Sequence, residues 1–188
     1  MKKALFVLFL LSGFAAVSLS AWEPGDLLKF PPGMNEKNWI INLGVGFGDK
    51  IGTTDNFTYL PTFRLSFDKN VGIGDKKLPF FFGGLIGYAG YGYDGYGYKW
   101  FNHRIPLGFR AGYHFNWGVK NLDTYAVTTA GYVLNIFTGD DWGRKSYSSF
   151  LFDIDIGVRW FLNDFFGFWA EVGFGTLSYI DLGISFKF

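Results

Sequence analysis

The chain has 188 residues, 49% hydrophobic, 22% aromatic and 18% charged, with 27 glycines and no cysteine. A formal net charge of +1 offers no basic field for a phosphate backbone, so no nucleic-acid partner is expected. The lack of cysteine excludes disulfides, thiolate metal sites and thiol nucleophiles, and an aromatic-rich chain of this length is expected to fold as one domain.

Residues 1–21 open with Lys2 and Lys3, continue through an apolar run over 4–17, and end on the small residues Ser18, Ser20 and Ala21. This is the layout of a cleaved secretory signal peptide, and the run is shorter than the ~20 residues of a spanning helix. Removal of Lys2 and Lys3 turns the net charge from +1 to −1. A proline-containing lead follows over 22–38.

From Trp39 the pattern changes to period two, as in strands with two unlike faces. Over 39–47 the odd positions read Trp39, Ile41, Leu43, Val45 and Phe47, against Asn42, Gly44 and Gly46 between them. The design recurs over 57–67, 105–115, 150–160, 166–174 and 180–188. In all six segments the bulky phase carries no charge, whereas the other phase holds Arg64, Arg110, Asp153, Asp155, Arg159, Glu171, Asp181 and Lys187. Two further strands, 78–91 and 122–136, have apolar residues on both phases and leave their facing open. Turn-forming clusters fill 68–77, 116–121 and 162–165, and richer loops fill 48–56, 92–103 and 137–149. The expected fold is all-β: an eight-stranded antiparallel up-and-down barrel.

Alternation alone does not say which phase faces inward. The polar phase is also glycine-rich, at Gly44, Gly108, Gly112, Gly157, Gly173 and Gly183 among others, which suits a narrow bore better than a watery exterior. The bulky rows overfill the inside of an eight-stranded barrel, so they belong outside, facing lipid. Aromatic residues gather at strand ends in two rows: Trp39, Phe67, Phe115, Trp160, Phe166 and Phe188, then Phe47, Phe57, Phe150 and Phe174. Such rows match the girdles of a transmembrane β-barrel. Ile180, Leu182, Ile184, Phe186 and Phe188 keep one phase to the last residue, with Gly183 on the other.

That last strand resembles the C-terminal assembly signal of bacterial outer-membrane barrels. The stretch 156–171, IGVRWFLNDFFGFWAE, resembles the penultimate hairpin of the small OmpX-like and OmpW-like barrel family, and 122–132, LDTYAVTTAGY, is similar to its fifth strand. The short connection 176–178 departs from that pattern. The resemblance implies a barrel over 39–188 in the outer membrane of a Gram-negative-type bacterium, with 22–38 in the periplasm. It also implies outer-membrane lipids, periplasmic chaperones and the barrel-assembly machinery as partners, and a monomeric state.

The inner charges, Arg64, Arg110, Arg159 and Lys187 against Asp153, Asp155, Glu171 and Asp181, suggest an ion-pair network plugging the bore. Arg110 with Glu171 and Asp155 is expected at its centre, with Arg64 and Arg159 nearer the periplasm. No catalytic, cofactor or metal residues are assigned. His103 and His114 lack a serine in their own strands, Asp140 with Asp141 lacks further oxygen ligands, and the GVGFG run at 44–48 lacks a following helix. The segment 88–100, YAGYGYDGYGYKW, offers Tyr91, Tyr93, Tyr96, Tyr98 and Trp100 either as a surface for a protein or glycan or as a strand extension above the membrane. The favoured reading is a non-enzymatic barrel that presents its loops, and the alternative is passage of small hydrophobic solutes.

Overall fold

Period-two alternation produces strands throughout, and the turns between them are short enough to pair each strand with its neighbour in sequence. The computed structural model describes residues 24–48, 52–54, 56–140 and 145–188, so the expected signal peptide at 1–21, like Trp22 and Asp141, lies outside the described residues. Among the described residues nine strands follow a 3-10 turn at Pro24–Leu28: β1 Trp39–Phe47, β2 Gly52–Thr54, β3 Phe57–Ile73, β4 Leu78–Gly95, β5 Tyr98–Phe115, β6 Leu122–Gly139, β7 Tyr147–Phe161, β8 Phe166–Gly175 and β9 Ile180–Lys187. All pairings are antiparallel, and β1 pairs with both β3 and β9, closing eight strands into a ring; β2 adds only to the end of β3.

The strands cover segments expected to be loops. Six residues of the 68–77 cluster continue β3, and much of 92–103 and 137–149 continues β4, β5, β6 and β7. Only two residues join β4 to β5: Tyr96 and Gly97, whose φ values of 52° and 79° suit the tight turn of a right-twisted hairpin. The wall is therefore uneven. β4, β5 and β6 have 18 residues each, whereas β1 has 9 and β9 has 8. At ~3.3 Å per residue, the tall side projects well past the short one.

The bulky phase faces out. Ile154, Ile156, Trp160 and Leu182 are 53%, 69%, 42% and 50% exposed, whereas Arg159 and Asp155 are 0% and 2% exposed. The register settles the two open strands: Phe81, Gly83 and Leu85 of β4, and Asp123, Tyr125, Val127 and Thr129 of β6, face the bore. Two expected positions change sides. A β-bulge between Leu60 and Phe63, around Pro61, shifts the phase of β3, so Phe57 and Tyr59 pair with the inward Tyr93 and Tyr91 and Phe57 leaves the outer girdle.

The bore also takes bulky rings, which the small inner phase does not suggest. Phe81, Tyr125 and Trp169 are buried there, each laid across a glycine of the adjoining strand. A Cβ added at Gly112 would lie 2.2 Å from Phe81, one at Gly157 2.2 Å from Tyr125, and one at Gly183 2.7 Å from Trp169. At the end where β1 starts and β9 stops, the lead folds across the opening. Phe30 and Met34 pack on Ile40 and Phe161, while the carbonyls of Leu27, Phe30, Gly33 and Asn35 accept bonds from Tyr113, Asn116, Lys187 and Asn70.

Gly157→Val is expected to lower barrel stability by about 1–3 kcal/mol through overpacking against Tyr125. Gly84→Ala, whose new Cβ would have its nearest neighbour at 3.8 Å, is expected to stay within about 0.5 kcal/mol of the parent. Urea unfolding of the refolded barrel in detergent measures both, and equal midpoints would contradict the seating of Tyr125 on Gly157.

Candidate functional site: a charged bore beneath an aromatic rim

Even-numbered inner positions of β3 and β5 and odd-numbered ones of β6 and β7 bring ionised side chains into a space that excludes bulk water. They meet as one alternating chain. Near the terminal end, Asp123 of β6 bonds Arg159 at 2.8 Å, and Arg159 bonds Asp68 at 2.8 Å. Asp68 bonds Arg110 at 3.1 Å, and Arg110 bonds Glu171 at 2.6 Å. Glu171 then bonds Arg64 at 3.0 Å, and Arg64 pairs with Asp181, at the opposite end of the wall. Each guanidinium lies between two carboxylates, the arrangement that keeps a buried charge compensated.

Neutral groups complete the chain. Tyr125 donates its hydroxyl to Glu171 at 2.8 Å, and its ring lies 3.9 Å from the Arg159 guanidinium carbon. Asn42 accepts from Arg159 at 3.1 Å and donates to Ser66 at 2.8 Å. His114, at the terminal end, has its two ring nitrogens 2.6 Å from Asp123 and 3.0 Å from Asn70. Toward the far end Leu85, Val133, Leu151 and Leu177 form an apolar layer.

The chain differs from the expected network in three ways. Asp155 does not join Arg110: its carboxylate lies over Gly173 and one oxygen has no hydrogen-bond partner. Asp153 instead accepts from the backbone nitrogens of Thr176 and Leu177, holding the tight β8–β9 turn. Arg64 is on the far side of Arg110 from Arg159, because β3 runs from the far end and reaches position 64 midway. The balance of four against four also changes. Asp68 and Asp123 enter the chain, while Lys187 turns to the Gly33 carbonyl at 2.8 Å and the Phe161 ring at 4.5 Å.

Sequence reasoning missed Asp68, Asp123, Asn42, Tyr125 and Trp169. Asp68 was detectable, being in phase with Arg64 and Ser66 once the strand is carried past Phe67. Asp123 and Tyr125 sit in a strand apolar on both phases, and no signal marked them.

Above the bore the polarity reverses. Phe57, Tyr59, Tyr91, Tyr93, Trp100 and Phe137 face inward on the tall side, while Thr58, Asp94, Lys99 and Thr138 face outward. Phe57 packs on Tyr93 at 4.9 Å, Tyr59 on Tyr91 at 6.1 Å and Trp100 on Tyr91 at 5.8 Å. Of the expected recognition residues, Tyr91, Tyr93, Tyr98 and Trp100 share this face, and Tyr96 stands alone at the hairpin tip, 89% exposed. The exposed Lys99 ammonium bonds Asp94 at 2.9 Å, which raises its pKa above the usual lysine value. On the outer face His103 lies 2.9 Å from the Tyr88 hydroxyl and 3.2 Å from that of Thr138, a partner from the next strand. Among the described residues no cluster of His, Asp and Glu gathers as metal ligands.

Fold and bore together define a closed eight-stranded antiparallel barrel filled by its own side chains. No protein-family model matches the chain, and no curated protein matches it. Among solved structures it is similar to the N-terminal β-barrel domain of Pseudomonas aeruginosa OprF, at 12% identity and a TM-score of 0.44, covering 82% of this chain and 100% of that one.

Arg110→Leu leaves Asp68 and Glu171 each one cation short, and is expected to cost about 3–5 kcal/mol. Asp155→Asn removes a carboxylate that has no ion pair and should leave stability unchanged or raise it. Urea unfolding of the two refolded variants checks this, and an unaffected Arg110→Leu protein would contradict the continuous chain.

Proposed function

We propose that this protein is a non-enzymatic integral barrel of the outer membrane of a Gram-negative-type bacterium, closed to ions, whose tall strand-built rim meets a protein or glycan outside the cell. One observation carries the reading: between Lys69 at one end and His103, Lys99 and Asp94 at the other, no outward residue of the eight wall strands is charged. A bilayer excludes unpaired backbone groups and tolerates an edgeless ring with an apolar belt. Trp39 and Phe67 stack at 4.7 Å at the terminal end, with the Lys69 ammonium 4.7 Å from the Trp39 ring, as suits an interfacial anchor.

The resemblance to OmpX-like and OmpW-like barrels adds the orientation, with the lead in the periplasm and the rim outside. It also adds the route of insertion, by chaperones and the barrel-assembly machinery, as a monomer. The filled bore favours presentation of the rim over passage of hydrophobic solutes through the lumen. The non-enzymatic reading is supported by the two histidines: His114 is engaged on both nitrogens, and His103 is steadied by a phenol instead of a carboxylate.

Ile156→Arg places a charge on the outward belt. In phospholipid vesicles it is expected to cost roughly 2–4 kcal/mol of folding stability, against within about 0.5 kcal/mol for a water-facing site. In planar bilayers the parent protein is expected to give no stable ion steps. A neutral Ile156→Arg would remove the membrane reading, and steady conductance would remove the closed bore.

A further inference from the structure

Of the four inward-facing guanidinium groups among the described residues, three are each clasped by two carboxylates and one is not. Arg104 of β5 projects into the far mouth of the barrel and makes a single long bond, 3.4 Å, to the Thr176 carbonyl. No Asp or Glu among the described residues lies within ion-pair distance of it. It is only partly buried and lines the space in front of it.

That space is a pocket of about 320 Å³ between the short wall and the foot of the aromatic rim, bounded by Gly46, Tyr59, Thr62, Tyr91, Arg104 and Leu177. Its size is at the small end of ligand sites, roughly 300–1,000 Å³. The Tyr59 and Tyr91 rings on one wall are nearly parallel, 21° apart. Leu177 of the apolar layer lines this mouth, and Gly46 on the short wall lies against Asp181, the last carboxylate of the ion-pair chain. A fork of guanidinium donors selects an oxyanion, tyrosine rings offer a flat apolar face with polar edges, and Thr62 adds a hydroxyl.

We propose that this pocket binds an anionic sugar of monosaccharide size, with Arg104 taking its carboxylate or phosphate and Tyr91 taking the face of its ring. The site is independent of where the barrel resides, so its test runs in detergent and bears on it alone.

Titration calorimetry of the full refolded chain with glucuronate, glucose 6-phosphate, glucose and inorganic phosphate tests it. Saturable binding is expected for at least one of the two acidic sugars, and which one binds tells whether the anion is carboxylate or phosphate. Glucose and inorganic phosphate should bind at least about tenfold more weakly, because each lacks one of the two contacts. Arg104→Gln is expected to weaken the acidic sugar at least about tenfold, Arg104→Lys less so, and Tyr91→Ala to weaken the sugar without changing the response to phosphate. Heat-modified mobility on gels shows which variants fold, and the Lys and Ala substitutions carry the test if the Gln one does not. Glucose binding as well as glucuronate, phosphate as well as glucose 6-phosphate, full affinity in folded Arg104→Gln, or no binding at about 10 mM would each overturn the proposal.

Discussion

A ring of eight strands encloses a bore barely wide enough for side chains, and that width decides how charge is arranged within it. An ionised group there has no bulk water, so its solvation must come from neighbours along the axis. A row in which sign alternates meets this demand with the fewest groups, since each guanidinium fork serves one carboxylate on either side. Asp123, Arg159, Asp68, Arg110, Glu171, Arg64 and Asp181 form such a row, running from the terminal end to the far mouth. Removing an interior member strands its two neighbours, so the row acts as a unit; it also joins strands β3, β5, β6, β7, β8 and β9 across the axis, fixing their mutual register.

Glycine makes that row compatible with a closed wall. Asp155 and Asp153 lie over Gly173 and Gly175, and Asp68 lies over Gly83, each glycine being the register partner of the carboxylate it accommodates. Phe81 and Tyr125 lie over Gly112 and Gly157 by the same pairing. The inner phase is thus small where a neighbour is large. Size complementarity runs between strands, which is why reading one strand at a time showed the glycines but not what they were for.

This separates what was legible from what was not. Strand number was legible in local alternation, because a strand with an apolar outer side and a charged bore side must alternate, and the facing of six strands followed from alternation together with the small, glycine-rich inner phase; the facing of β4 and β6 did not. The composition of the ion-pair row was partly hidden: Arg110 with Glu171 emerged from phase, but Asp68 sat in a stretch rich in turn residues, and Asp123 in a strand apolar on both phases. Depth within the bore was hidden as well. Arg64 and Arg159 share a phase and a charge, yet they sit on opposite sides of Arg110, because their strands begin at different heights.

The aromatic rim was left between a recognition surface and a strand extension, because glycine and tyrosine alternate there as they do in flexible recognition segments. The pairing of Tyr93 with Trp100 and of Gly95 with Tyr98 makes it an extension of the sheet. Its reversed polarity has a physical cause. Below the bulge at Pro61 the outer face is apolar and the inner face meets charge; above it the outer face carries Thr58, Asp94 and Lys99, groups that suit water. Where the outer face of a sheet carries such polar groups, its large apolar residues are sheltered on the other face, and the concave side is that face. The bulge shifts β3 by one position, so Phe57 and Tyr59 follow Tyr91 and Tyr93 inward while Phe63 and Leu65 stay out. The same irregularity therefore marks the upper limit of the apolar belt and gathers the rings that overhang the mouth, where Arg104 meets no carboxylate among the described residues.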